Sequence, residues 1–359
     1  MGRIRPLGRE DVPAVARLHR AAFRTRKPLD RLEAFFDAIL FGHPWQDDEL
    51  PSLACEDGSG RLVGCVGVMP RPMLMDGRRL RAAVTHHFMV DGSSGSSLAA
   101  AQLAAALFKG PQDLSLANGN PKSRLIVERM GGTVLPAPSL RWVRVLRPVQ
   151  AAMVFARRRG VRRGLARALG PVERMADALV TRFAGTLFRP APPPATSRDL
   201  TLAELLRLLD QFTQDFRLRP HYDEASLGWL LATAGSAWRE QVLRKVVVVD
   251  RSERPAGWYL YYARPGSVGH VLQMGAREDA RDDVLRHLFH DAWRERVVAL
   301  TGQLELRWME ALSRHHCVFD QGGHWLMAHT RCRDLLHALL GERAFLSKLE
   351  GEGWIQLAI

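Results

Sequence analysis

Two adjacent histidines, His86 and His87, sit in an apolar-rich run from Val84 to Val90. Imidazole titrates near neutral pH, so either ring suits the uptake of a proton from a substrate. Strand alternation places the two rings on opposite faces, and one is expected to face a cleft. Glu56, at the end of an earlier strand, is a third proton acceptor. After the histidines come a small-residue run, Asp91 to Ser97 (DGSSGSS), and an alanine-rich helical pattern, LAAAQLAAALF. A short strand follows, Asp113 to Ala117, and then Asn120 to Gly132, NPKSRLIVERMGG. Strand, small-residue turn, helix, strand, Asn and a short helix ending in Gly-Gly is the most informative pattern in the chain.

Other chemistries lack their signatures. His315, His316, Cys317, His324, His329, Cys332 and His337 crowd one region. Zinc sites favour compact pairs such as C-x₂-C with H-x₃₋₅-H, and no matching cysteine pair is present. These residues read as packed or surface groups, and no metal is expected. No G-x-G-x-x-G follows a strand, and no phosphate loop or G-x-S-x-G elbow occurs.

The elements that must position the histidines follow from periodicity. Residues 3–7 read as a strand. Asp11 caps a helix with Val12, Val15, Leu18, Ala22 and Phe23 on one face. Leu32 to Leu40 gives a second helix, ended near Gly42. Ser52 to Glu56 and Leu62 to Met69 are short strands joined by DGSG, with Pro70 ending the second. The sheet continues through Arg78 to Val90. A helix from Ser97 to Phe108 makes the strands before and after it a parallel crossover. The second half repeats the order: helices at 202–216 and 224–234, strands at 242–249, 256–263 and 270–275, a long helix at 279–300, and strands at 304–308 and 354–357. Matching order and length imply a tandem duplication. The expected class is α/β, an α+β mixed sheet in each of two domains. The divisions are 1–150, a connector at 151–197, and 198–359. Tryptophans concentrate in the second half, mostly as core, with a few expected to wall a ligand cleft.

With 359 residues, 47% apolar and 25% charged, the chain can bury a large core. No run is long enough for a membrane-spanning helix, and the charged N-terminus lacks an apolar signal core, so a cytoplasmic location is expected. The four cysteines read as reduced thiols, mainly buried. More than half of the net charge of +13 is local. Residues 151–190 hold nine arginines against Glu173 and Asp177. Nucleic-acid binding is therefore not expected. The stretch 157–187 reads as an amphipathic basic helix. It is either a connector packed over one domain or a surface helix touching anionic lipid or an acidic partner. Pro190 to Pro194 is a stiff linker.

The first half resembles the GCN5-related N-acetyltransferase superfamily over about residues 3–147. The resemblance rests on the opening IRPL-x-x-x-D-x-x-x-V-x-x-L, the strand and loop at 84–97, and N-x-x-S-x-x-x-x-E-R-x-G-G from Asn120. The second half is similar in element order only, as in tandem acetyltransferase-fold proteins with a diverged second copy. The resemblance implies two acyl-CoA N-acyltransferase-like domains, with acetyl-CoA or another acyl-CoA as co-substrate. It implies that two parallel strands splay apart, that pantetheine pairs with backbone at Phe88, Met89 and Val90, and that pyrophosphate meets the helix start at Gly95, Ser96, Ser97, Leu98 and Ala99. Asn120 and Ser123 complete the implied cofactor set. His87, His86 or Glu56 would deprotonate the acceptor amine. The family loop usually carries Arg or Gln, which is missing here. Val127 stands where the family commonly has a Tyr that protonates the leaving thiolate.

The implied activity is transfer of an acyl group, acetyl first, from CoA to a small-molecule or peptide amine by direct attack in a ternary complex. The alternatives are an inactive acyl-CoA-binding or scaffold protein on the same fold, and an aminoacyl-tRNA-dependent transferase.

Overall fold

A computed structural model describes residues 2–92, 96–158, 175–177, 185–237 and 241–358. The first half runs β1 (Arg3–Pro6), α1 (Val12–Ala22), α2 (Leu29–Phe41), β2 (Leu53–Glu56), β3 (Leu62–Met75), β4 (Arg78–Val90), α3 (Ser96–Phe108), β5 (Leu114–Gly119), α4 (Pro121–Arg129), β6 (Thr133–Val134) and β7 (Leu140–Val145). The second half begins with β8 (Thr196–Asp199), then a helix (Leu202–Phe212), β9 (Leu218–Pro220) and a helix (Glu224–Ala237). β10 (Val242–Val249), β11 (Pro255–Ala263), β12 (Val268–Ala276), a helix (Arg281–Arg294), β13 (Ala299–Gln303), β14 (Val318–Gln321) and β15 (Trp325–His329) follow.

Among the described residues these strands form two mixed sheets, and each sheet borrows from the other half. The first is ordered β1-β2-β3-β4-β5-β15-β6, with β9 on the far edge of β3. The second is ordered β14-β7-β13-β12-β11-β10-β8. β7 thus leaves the first half to lie beside β13, and β15 leaves the second half to lie beside β5. Sheet membership crosses the chain division expected near residue 150.

Apolar helix faces explain the layering. Val15, Ala16, Phe36 and Ile39 of α1 and α2 share one core with Leu205, Leu208, Leu227 and Leu230 of the second-half helices. Cys65, Met69 and Met89 of the first sheet and Trp258, Leu260 and Leu272 of the second join that core. The four helices therefore lie between the sheets. Helix Arg281–Arg294 covers the outer face of the second sheet through Val284, Leu285, Leu288 and Phe289. Ala104 and Leu107 of α3, with Val127 of α4, cover the outer face of the first. Cys55, Cys65 and Cys317 are buried, Cys332 is exposed, and all four are free.

Four local expectations are corrected. β3 does not stop at Pro70 but runs through Pro70 and Pro72 to Met75. Pro72 O accepts from His221 N, so its missing N–H lies on the β9 side and costs the β4 ladder nothing. The long helix at 279–300 ends at Arg294, where Arg296 adopts φ 57. The β-branched run after it becomes β13, and 306–308 is only a turn of 3₁₀ helix. Residues 353–358 are helix rather than strand, with Trp354 against Trp229 at 6.1 Å between ring centroids. β15, which is not expected from the sequence, forms within the stretch of crowded histidines and cysteines.

Of the basic stretch at 157–187, only 157–158, 175–177 and 185–187 fall within the described residues. Asp177 accepts from Val149 N and Gln150 N, tying that stretch to the start of helix Pro148–Arg158. No helix among the described residues is long and apolar enough to cross a membrane.

Candidate active site

β4 and β5 are parallel and pair at only three positions, Ala82 with Leu114, Ala83 with Ser115 and Val84 with Leu116. Both strands continue beyond this point, β4 to Val90 and β5 to Gly119, so they diverge into a fork. The cause lies in β4. Against β3, the register moves from Cys65 opposite Met89 to Gly67 opposite His86, which leaves an extra residue in β4. This is a β-bulge, and His87 within it adopts φ 49, the left-handed region uncommon for a residue with a side chain. Thr85 Oγ1 closes the neck of the fork by donating to Leu116 O at 3.1 Å.

The bulge also corrects the expectation that His86 and His87 face apart. Their Nδ1 atoms lie 3.1 Å from each other, so one imidazole donates to the other. His86 is fully buried over Gly67, where a Cβ would stand 2.1 Å from its ring. Burial pushes its pKa down to about 3. His87 faces the cavity, packed edge-on against Phe36 at 5.0 Å, with Phe35 and His19 beside it. Burial, then the neighbouring His86 and His19, hold it well below the ordinary histidine value. Both rings are therefore neutral at physiological pH and weak as bases. Glu56 is elsewhere: it pairs with Arg5 at 2.7 Å beside Asp11 and does not line the cavity.

The residue that spans the fork comes from the C-terminal end of the chain. Glu352 Oε1 accepts from His87 N and its Oε2 accepts from Asn118 N, each at 3.3 Å. One carboxylate thus bridges the backbones of both diverging strands. Glu352 is 7% exposed. Burial raises its pKa to about 7, an effect the hydrogen bonds from Gln356 and the two amides only partly offset. A carboxylate tuned to neutrality takes a proton from an ammonium far more readily than an ordinary surface glutamate. Sequence reading missed it, because a Glu in a Gly-Glu-Gly context reads as a solvated turn. His19 was also missed, although it lies on the apolar face of α1 four residues after Val15.

The fork opens into a cavity of about 610 Å³ between the two sheets. His87, Phe88, Asn118, Asn120, Ser123 and Glu352 line it from the first-sheet side, while Arg141, His270, Thr301 and Gln303 line it from the second. Of the implied cofactor residues, Phe88, Asn120 and Ser123 reach this cavity. Asn120 Oδ1 caps α4 by accepting from Lys122 N and Ser123 N, both at 3.0 Å. Met89 is buried in the core shared with α1 and α2, and Val90 packs toward α3. Ser97 and Leu98 are exposed at the start of α3, and Ala99 is buried beneath it. Gly95 and the Ser96 side chain lie outside the described residues. Asp91 is paired with Arg61 at 3.1 Å, which offsets its negative charge. No tryptophan among the described residues lines the cavity, contrary to expectation; Trp142, Trp258, Trp308 and Trp354 are all fully buried. Val127 is packed against Ala104 and Phe108, and Gly132 exists beside it because a Cβ there would stand 2.3 Å from Val127 Cγ1.

The second sheet contains a matching fork. β12 and β13 are parallel, paired at Val268–Ala299, Gly269–Leu300 and His270–Thr301, and then separate. Here the gap holds the chain's own C-terminal segment. Gln303 Nε2 donates to Leu346 O at 3.0 Å, and Leu349 N donates to Leu272 O at 3.3 Å.

This arrangement has relatives among solved structures. A probable N-acyltransferase from Enterococcus faecalis superposes with a TM-score of 0.58 at 11% identity, over 92% of this chain and 73% of that one. A GCN5-related N-acetyltransferase from Anabaena variabilis gives 0.56 at 9% identity, over 92% and 73%. The Saccharomyces cerevisiae N-myristoyltransferase with bound myristoyl-CoA and inhibitors gives 0.55 at 12%, over 91% and 79%. The fold is that of the GCN5-related N-acetyltransferases and N-myristoyltransferases, with mixed α/β architecture throughout. No family model and no curated protein sequence matches the chain.

Proposed function

We propose that the protein is an acyl-CoA-dependent N-acyltransferase whose thioester enters the first fork and whose acceptor amine occupies the cavity between the sheets. The observation that carries this reading is the Glu352 carboxylate held across the diverging backbones of β4 and β5. The fold neighbours, which are N-acyltransferases, support it.

The charge pattern at the helix starts favours the first half for CoA. The first turn of α3 contains no acidic residue, so its free amides and dipole suit a pyrophosphate. The corresponding second-half helix opens with Glu278, Asp279, Asp282 and Asp283, which repel phosphate. Acyl-CoA supplies an activated carbonyl and a thiolate leaving group. The chain's own contribution is to strip the ammonium and hold the amine. Glu352 removes a proton from the acceptor ammonium, the freed amine nitrogen attacks the carbonyl carbon, and the C–S bond breaks; the proton that the nitrogen sheds as it becomes an amide passes to the departing thiolate, so CoA leaves as the free thiol. His87 and Phe88 form part of the wall against which this occurs.

A second reading is an acyl-CoA-binding protein without turnover. It is favoured by Val127, which sits in the core and offers no hydroxyl to a leaving thiolate. Calorimetric titration with acetyl-CoA and longer acyl-CoAs tests what both readings share, and release of free thiol on adding amines separates them. Binding with thiol release supports the transferase. Binding without release from any amine supports the second reading, and failure to bind any acyl-CoA contradicts both.

A further inference from the structure

The acceptor side of the cavity has a charge pattern of its own. Of its lining side chains two are permanent or near-permanent cations, Arg141 and Lys348, and one is a carboxylate, Glu352. Arg141, on β7, is held by Asp320 directly opposite it on β14, with Nη2 to Oδ2 at 2.7 Å. Lys348 differs. Its stem packs over Gly353, where a Cβ would stand 2.9 Å from Lys348 Cγ, and its ammonium makes no hydrogen bond or ion pair with any described residue. Burial and the nearby Arg141 lower its pKa to about 8, so at neutral pH it remains mostly charged. Lys348 is half-buried, its ammonium open to the cavity, and a partly desolvated cation without a counter-ion favours an anionic ligand.

Lys348 also stands four residues before Glu352 in a segment that is firmly held. Glu350, between them, is buried and accepts from Tyr222 Oη at 2.9 Å, Gln273 Nε2 at 2.8 Å and Ser347 N at 2.8 Å. Arg71 in turn donates to Tyr222 Oη at 2.6 Å and lies over the Trp45 ring. The segment therefore presents a proton acceptor and an unpaired ammonium to one cavity from a rigid base.

We propose that the acceptor is an amine bearing its own carboxylate, an amino-acid-class compound whose carboxylate pairs with Lys348 beside Arg141 while its amine meets Glu352. This rests on the transferase reading above and specifies its substrate. A charge-assisted pair in such a site separates an acid from its neutral amide by about tenfold or more.

The test compares the twenty L-amino acids and β-alanine with their carboxamides, at saturating acetyl-CoA, by thiol release. The expected result is at least one acid preferred over its amide by about tenfold in kcat/KM. Lys348→Met abolishes that preference through KM with kcat little changed, and Lys348→Arg restores part of it. The acid-to-amide ratio on the unaltered protein stands as a test even if Lys348→Met fails to fold. Amides used as well as acids, or no acid turned over in a preparation that binds acetyl-CoA, overturns the inference and leaves acyl-CoA binding intact. Intact-mass detection of an acetyl group on Lys348 overturns it too, since the lysine is then the acceptor. Failure of the unaltered protein to bind acetyl-CoA removes the reading beneath it.

Discussion

The two forks of this molecule share a plan and differ in what fills them. In each, a pair of parallel strands is joined at three positions and then parts. In each, the outer neighbour of the shorter strand is borrowed from the other half of the chain, β15 beside β5 and β7 beside β13. The first fork is spanned by one side chain, Glu352, and faces a cavity. The second is laced by main chain, with Leu346 and Leu349 bonded to opposite sides. A fork of this kind exposes backbone amides and carbonyls that must find partners. In the second, the C-terminal segment meets the Leu272 carbonyl and the Gln303 side chain, and that same segment carries Lys348 and Glu352 to the first. The two halves thus provide one fork that opens into the cavity and one that anchors the segment reaching it.

The sharpest way to break this comparison is Glu352→Gln. Turnover is expected to fall about 10²–10⁴-fold with acetyl-CoA affinity retained. In the unaltered protein the base works only when deprotonated, so kcat/KM should fall as pH drops below about 7. If His87 were the base, its depressed pKa would leave that profile flat across the same range. A smaller effect is expected at the helix starts. Ser97→Glu adds an acidic residue to the exposed first turn of α3, which suits the helix dipole but opposes phosphate. The acetyl-CoA Kd should rise about tenfold with folding intact, while Asp283→Ser at the second-half helix leaves it unchanged. Calorimetry reads both. The smallest effect on chemistry comes from Val127→Tyr. The side chain has no room between Ala104, Phe108 and Gly132, so stability should drop by about 1–3 kcal/mol in denaturant melts with no gain in turnover.

Much of the first half was legible from local pattern. Helix faces in α1 and α2, the turn between β2 and β3, and the crossover through α3 all follow from short-range pattern. The helix start at Asn120 was legible as well, because Asn is favoured at the N-cap and Pro at the first helical position. What escaped depends on partners distant in sequence. The bulge at His87 exists only relative to β3, so alternation misplaced the histidine pair. β15 reads as strand only once β5 offers it an edge. Glu352 and Lys348 look like ordinary surface charges until β4, β5 and β7 surround them. No local signal distinguishes a solvated glutamate from one that bridges two strands 230 or more residues earlier.

The central claim, that the first fork and not the second receives acyl-CoA, is tested most directly by amide hydrogen exchange with and without acetyl-CoA. The account predicts slowed exchange at Phe88 to Val90, Asn118 to Gly119 and the start of α3, with no change along Val271 to Met274 or Thr301 to Gln303. Equal protection at both forks, or protection confined to the second, would contradict it.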